Sequence, residues 1–314
     1  MLTNKKHVTE SSVVVAAPLE TTRAVAMDFA KWPRFHGPAV YAESVPSDGD
    51  GELIRFWSLT GEDSVRTWTA RRFQTDTGTE FRHEPAAPPF ESVGGGFDFE
   101  PRPDGTTHVR MRHEFSLLSE DDDVAAERLA SMRRGGAAYL ESLRYAAENL
   151  EDLHRRTIAF DDSVFIAGDI ADIYAYLYEA DKWPERIPHV ARLEMTQPSP
   201  EVQFFDMDTV SPDGSRHTTR SVRICLEPRL IVYKQTQPPR TLDAHSGHWR
   251  FEQTPEGVIA TARHVATIKE SMLHLFGEGT TMEQARKHLR RVLSANSTSN
   301  LRLAKEYAEK RAGY

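Results

Sequence analysis

The sequence predicts an α+β chain of two tandem units, each a curved antiparallel sheet wrapped around a long C-terminal helix with an interior pocket. Three observations predict it. Distinct segments recur at one fixed separation, each copy carries apolar or alternating runs divided by turn residues, and each copy closes on a long stretch of helical periodicity.

The recurrence is plainest at Trp32-Pro33, which returns as Trp183-Pro184, an offset of 151 (183 − 32). Ser12-Val13-Val14-Val15 matches Ser163-Val164-Phe165-Ile166, Glu43 matches Glu194, and Arg112-His113 matches Arg263-His264 at the same offset. A constant offset at both ends means that the halves differ little in length until their last helices. We therefore expect domains at 1–153 and 154–314. Between them the run from Glu148 to Thr157 is charged, short and free of Gly and Pro, which predicts a tight connection.

Within each unit a β-rich run (Ser11 to Ala17; Ser163 to Ala167) leads into a helical segment. Pro18 suits a first helical turn, while Asp169 suits an N-cap with Asp172 in the turn after it. Hairpin signals follow at Ser47 to Gly51, Asp76 to Gly78 and Pro103 to Gly105, and in the second half at Pro212 to Gly214 and Pro255 to Gly257. Gly94-Gly95-Gly96 lacks the lysine and helix of a phosphate loop and reads as a strand where backbones approach closely.

The first closing helix has one apolar face through Ala125, Leu129, Met132, Gly136, Leu140, Leu143, Ala147 and Leu150. The second has the stripe Ala285, Leu289, Val292, Asn296, Asn300 (or Ser299), Leu303, Tyr307, interrupted by polar side chains. A buried amide needs a partner, so either the helix projects past its sheet here or the middle of this face looks into a cavity where Asn296 or Asn300 meets water or a ligand. Gly135-Gly136 leaves space at the same place in the first helix.

Composition narrows the function. With 39 Lys plus Arg against 47 Asp plus Glu, the 314-residue chain has a formal charge of −8 and no basic run, which argues against nucleic acid. The N-terminus MLTNKKHVTE has no apolar signal core, and no stretch reaches the roughly eighteen apolar residues of a membrane span, so a soluble cytoplasmic protein is expected. The single cysteine, Cys225, sits in the strand-like run Val222 to Leu226, where a buried inert thiol is expected. No Cys, Asp or Glu accompanies His245 and His248 at metal-ligand spacing, so a metal site is not expected.

The order of elements, with Trp-Pro after the first helix, resembles the helix-grip fold of the Bet v 1 and START superfamily. The doubled unit resembles, over nearly the whole chain, the di-domain aromatase/cyclases of bacterial type II polyketide synthases. Segments carrying the likeness include Asp28 to Pro33, Val65 to Arg72, Gly95 to Glu100 and Met111 to Phe115, then Ala180 to Pro184, Ile231 to Thr236, Ala244 to Phe251 and Ser294 to Leu301. The resemblance implies folding of a poly-β-ketone held on an acyl carrier protein, closure of its first ring between carbons 7 and 12 by aldol condensation, and dehydration to an aromatic ring. Ketoreductase and ketosynthase of the same pathway are the further implied partners, and no cofactor is implied. It also implies a pocket arginine at Arg72 and, one repeat later, at Arg223.

Arginine suits that chemistry, because a permanently charged fork of donors in a dry pocket stabilises enolate and alkoxide oxygens. Strand periodicity puts Arg72 on the face of Arg66, Trp68 and Ala70, which is inward. It puts Arg223 with His217, Thr219 and Ser221, opposite Val222 and Ile224, which reads as outward; the resemblance reads inward. Among the histidines, His113 and His264 are repeat-equivalent, whereas His245 and His248 occur only in the second half and are expected just before a strand near the pocket mouth. His245 is the preferred acid–base candidate. Expected substrate contacts are Trp32, Trp68, His113 and Tyr139 in the first half, and Trp183, Ser221, Tyr233, Gln235, His264, Asn296 and Asn300 in the second. Lipid or polyketide binding without catalysis is the competing function. The halves differ, Trp68 facing Thr219 and Tyr139 facing Asn300, so unequal jobs are expected.

Overall fold

In the computed structural model, which describes residues 5–210, 214 and 216–313, the chain divides into two compact units. One comprises Met1–Thr60 and Arg66–Leu150, the other Gly61–Val65 and Glu151–Tyr314.

The first unit runs β1 (His7–Val15), α1 (Leu19–Met27), a 3₁₀ turn (Phe29–Lys31), α2 (Trp32–Phe35), then β2 (Ala39–Val45), β3 (Glu52–Gly61), β4 (Ser64–Gln74), β5 (Gly78–His83), β6 (Phe90–Pro101) and β7 (Thr107–Leu117) before α3 (Asp122–Glu148). Its strands form one seven-stranded sheet in the order β1-β7-β6-β5-β4-β3-β2, antiparallel between the neighbours whose register is resolved. After α4 (Leu150–Arg156) the order repeats: β8 (Thr157–Ile166), α5 (Ile170–Tyr178), a 3₁₀ turn (Ala180–Lys182), α6 (Trp183–Arg186), β9 (Val190–Ser199), β10 (Val202–Val210), β11 (Arg216–Leu226), β12 (Leu230–Gln237), β13 (Leu242–Thr254), β14 (Gly257–Ile268) and α7 (Met282–Ala312). The second sheet, β8-β14-β13-β12-β11-β10-β9, has the same topology. Each unit is a helix-grip domain, α3 lying on β1 and β7, and α7 on β8 and β14.

The turn signals separate the strands as expected, except Pro212-Asp213, which lies outside the described residues. Asp169 caps α5 by accepting from the Ala171 N–H, whereas Pro18 stands at the N-cap of α1, one position before its first turn. The connection is helical: Asn149 interrupts α3 for one residue, α4 runs straight into β8, and the expected seam at 153/154 falls within α4. Arg156 anchors it from a buried position, bonding Asp152, Asp243 and the Ile268 carbonyl.

One contact repeats in both halves. Glu148 near the end of α3 accepts the Ala16 N–H at 2.8 Å, and Glu309 near the end of α7 accepts the Ala167 N–H at 2.9 Å. The acceptors are 161 residues apart (309 − 148) but the donors only 151 (167 − 16). Ten residues have therefore been added between β14 and α7, where the 3₁₀ segment Glu270–Phe276 stands. Aligned by this contact, Tyr139 corresponds to Asn300 and Gly136 to Ser297.

The predicted stripe of α7 is corrected by the same alignment. Its buried line runs Ala285, Leu289, Ser297, Asn300, Leu301, Ala304 and Ala308, and Asn296 and Val292 are exposed. The polar centre is Ser297, whose hydroxyl donates to Asp162 at 3.1 Å, and not Asn296. Gly136 faces Ser11, Met111 and His113, with ordinary contact distance for one methyl group and no wider gap. Among the described residues no helix is long and apolar enough to cross a membrane.

Candidate active site

In the second unit β11 carries Arg223 inward, as the resemblance implied and the alternation did not. Period-two reading fails here because Val222 and Ile224 on the opposite face are also fully buried, so apolarity no longer marks one side. Arg223 is wholly inaccessible to solvent. One guanidinium nitrogen donates to the Leu177 carbonyl at 2.7 Å, and Nε and Nη1 have no hydrogen-bond partner. Its carbon centre stands 5.2 Å from the Trp183 ring, 5.7 Å from Trp249 and 5.8 Å from Phe205. No carboxylate among the described residues forms an ion pair with it. Desolvation presses its pKa downward, yet a guanidinium keeps its charge in proteins. A buried cation without a counter-charge costs several kcal/mol, so these donors point to a ligand.

A polar cluster stands beside it. Tyr233 pairs with Arg223 on one side and Gly247 on the other, and Gly247 pairs in turn with His264, so the three strands set Tyr233 and His264 in one row. Glycine is required between them: a Cβ on residue 247 would stand 2.0 Å from the Arg263 carbonyl oxygen and 2.5 Å from the Tyr233 hydroxyl. Across that gap the Tyr233 hydroxyl reaches His264 Nδ1 at 2.8 Å and His245 Nε2 at 3.3 Å, and the two imidazole nitrogens are 3.2 Å apart. His245 Nδ1 lies 2.9 Å from Gln235 Oε1. With that amide oxygen accepting, His245 carries its proton on Nδ1 and presents Nε2 as an acceptor. His264 Nε2 is buried with no partner.

Burial pushes His245 down to about 3, helped by its neighbour His264, and pushes His264 down to about 4. Burial likewise drives the Tyr233 phenol upward. All three are neutral near pH 7. Keeping the imidazoles neutral stabilises the unit fully above the ordinary histidine value of about 6.5, and that contribution is lost as pH falls through 4 towards 3. His264→Gln is expected to flatten the fall in unfolding free energy between about pH 6.5 and 4 by up to ~1.4 kcal/mol per pH unit, which denaturant titration at several pH values measures. An unchanged slope would show that His264 is not held neutral.

His245 lies inside β13, not before it, while His248 faces the other side of that strand. Asn300 is buried with its Oδ1 unpaired, and Ser221 is buried; Asn296, exposed, is not part of the site. Cys225 is buried and its thiol is raised by desolvation, as an inert position should be. Among surface features, a groove of about 800 Å³ along α7, lined in part by Lys287, Arg290, Ser294 and Arg302, contains none of these residues.

The corresponding site of the first unit is built differently. Arg72 donates to Glu52 at 2.5 Å and to the Met27 carbonyl at 3.1 Å, with its guanidinium 5.3 Å from the Phe29 ring. Burial works to raise the Glu52 carboxyl, but bonds from Ser44 and Arg72 outweigh it and hold the group below the usual carboxylate range. Trp32 and Tyr139 both donate to the Ala26 carbonyl, at 3.1 and 3.3 Å. Aromatic rings then follow in contact, Tyr139 on Trp32 at 4.9 Å, Trp32 on Phe56 at 5.8 Å, and Phe56 on Trp68 at 5.3 Å. His113 meets Phe81 at 5.7 Å, and burial with the Arg66 charge lowers both His113 and His83 to about 4.

Strand pairing aligns the two sites. Phe81 pairs with Arg72 and Gly95 as Tyr233 pairs with Arg223 and Gly247, so the first unit lacks the relay hydroxyl. Val93 pairs with Phe115 as His245 pairs with Ala266, so it lacks that imidazole as well. The carbonyl used by Trp32 and Tyr139 corresponds to Leu177, which receives Arg223. Glu52, Phe56, His83, Phe205 and Trp249 were not found from sequence. Glu52 had a signal, since its repeat position is Gln203; His83 had none.

Comparison with known proteins agrees with this architecture. Residues 6–144 and 166–287 each match a family described as polyketide cyclase / dehydrase and lipid transport. The chain is 35% identical over 309 residues, 97% of its length and 95% of the relative's, to the granaticin polyketide synthase bifunctional cyclase/dehydratase of Streptomyces violaceoruber. It is 35% identical over 288 residues to the actinorhodin counterpart of Streptomyces coelicolor, covering 87% of this chain and 88% of that one. Among solved structures, the di-domain ARO/CYC StfQ of the steffimycin pathway superposes with a TM-score of 0.86 at 45% identity, covering 98% of this chain and 100% of that one. BexL of the BE-7585A pathway gives 0.86 at 31%, covering 96% and 99%. With two family matches in tandem and full-length relatives on both counts, the chain belongs to the di-domain members of the polyketide cyclase/dehydrase family.

Proposed function

We propose that the protein folds a poly-β-ketone held on an acyl carrier protein, closes its first ring between carbons 7 and 12, and dehydrates that ring to an aromatic one. The single observation that carries this reading is Arg223, a fully buried cation with two unpartnered donors and, among the described residues, no carboxylate paired with it. The names of the full-length relatives support the cyclisation and the dehydration.

In the aldol step a methylene flanked by two carbonyls loses a proton, and the resulting enolate carbon bonds to a distant carbonyl carbon. The electron pair of that carbonyl moves to its oxygen, which takes up a proton. Arg223 Nε and Nη1 donate to the oxygen as charge develops on it, in surroundings that exclude water. Loss of the new hydroxyl with a neighbouring ring proton then releases one water and leaves a double bond. Both steps are redox-neutral. Each needs a proton removed and another delivered, and His264, Tyr233 and His245 form a hydrogen-bonded path whose one unengaged ring nitrogen is His264 Nε2. His245 has both nitrogens engaged, so its role is to orient Tyr233 and His264. Arg72, already neutralised by Glu52, and the aromatic row from Tyr139 to Trp68 suit the first unit to holding the extended chain.

The test is reconstitution with a minimal ketosynthase, its carrier protein and ketoreductase, with products separated by chromatography. The expected result is a C7–C12 aromatic product in place of the spontaneous mixture. An unchanged mixture would overturn the enzymatic reading and leave binding without catalysis.

A further inference from the structure

Position 203 separates the two arginines. Glu52 stands 20 residues before Arg72 (72 − 52) and Gln203 stands 20 before Arg223 (223 − 203), so the two are repeat-equivalent. Gln203 pairs directly with Arg223 across β10 and β11, which puts both side chains on one face of the sheet. Where the first unit has a carboxylate bonded to its arginine at 2.5 Å, the second has an amide that turns elsewhere. Gln203 Nε2 donates to the Tyr178 carbonyl at 3.2 Å, its Oε1 accepts from the Cys225 thiol at 3.8 Å, and the residue is wholly buried.

We infer that Gln203 is a positioning residue of the reaction: by filling the counter-ion position with a neutral amide, it keeps the Arg223 donors unclaimed for the oxygen of the substrate. This rests on the role given to Arg223 above. A carboxylate at this place would approach the guanidinium as Glu52 approaches Arg72, occupy its free N–H groups and cancel the charge that a developing alkoxide needs. The amide does neither, since its bonds go to Tyr178 and Cys225 and not to the guanidinium.

The experiment compares Gln203→Glu, Gln203→Met and Arg223→Ala in the reconstituted full-length protein. Both changes at 203 remove the donor to Tyr178, but only Glu adds a charge. Expected are a fall in kcat of about a hundred-fold for Gln203→Glu with KM changed less than threefold, and at least a third of wild-type kcat for Gln203→Met. Equal losses in the two variants would make Gln203 a packing residue and overturn the inference, as would wild-type kcat in Gln203→Glu. Wild-type kcat in Arg223→Ala would instead overturn the reading on which it rests. If Gln203→Glu does not give the wild-type circular dichroism spectrum, Gln203→Asp carries the same comparison with a smaller side chain.

Discussion

Arg223→Ala is expected to slow formation of the aromatic product by about a hundred- to a thousand-fold while leaving the melting temperature unchanged or higher. The two effects separate because of how the side chain is placed. Its charge is buried with no counter-ion among the described residues, so removing it relieves a desolvation cost, partly offset by the cavity and the orphaned Leu177 carbonyl that remain. Arg72→Ala is expected to behave in the opposite way. It leaves Glu52 with its Ser44 bond but no cation and orphans the Met27 carbonyl, lowers stability by about 1–3 kcal/mol, and reduces the rate less than tenfold. Product chromatography and thermal melting on the same preparations check both. Wild-type rate in Arg223→Ala would sink the assignment.

Gly247→Ala carries the largest expected effect on stability, more than about 4 kcal/mol. A methyl group here would lie 2.0 Å from a backbone oxygen of β14, and backbone cannot swing aside as a side chain can. Either β13 leaves its register or Tyr233 leaves the row, and with it the bond to His264. Gly135→Ala in α3 is the matched control, since nothing lies within 4 Å of the added carbon, and it should stabilise by about 0.5–1 kcal/mol. Urea denaturation of the pair measures the contrast. A Gly247→Ala protein as stable as wild type would show that the strands can part without loss.

The tandem architecture was legible because duplication leaves a trace that needs no three-dimensional knowledge: two Trp-Pro pairs at one offset. The site was legible only where a residue's role follows from its own chemistry or from the resemblance. Arg72 and Arg223 came from the resemblance, whereas Tyr233, Gln235, His245 and His264 were named for their own chemistry, and these four meet within hydrogen-bonding distance in one cluster. Direction was harder. Alternation reads a strand correctly when one face is wet, and it misread Arg223 because both faces of β11 are dry there. Asn296 was misplaced because five residues in a row, from Asn296 to Asn300, are polar, so periodicity alone gives no phase. The pairing of Glu52 with Arg72 joins strands by geometry, and no spacing rule announces it.

The paired glutamates at the ends of α3 and α7 imply that transplanting residues between the halves needs two rulers. Strand residues map at about 151, so Trp68 exchanges with Thr219; the closing helices map at 161, so Tyr139 exchanges with Asn300. A chimera cut by the strand ruler alone would place Tyr139 on Arg290, which packs on Phe160 and bonds Asp162 instead of facing the carbonyl that Tyr139 caps. Grafts that keep Glu148 or Glu309 as their fixed point should leave each helix seated, with the ten additional residues carried entirely by the segment that precedes it.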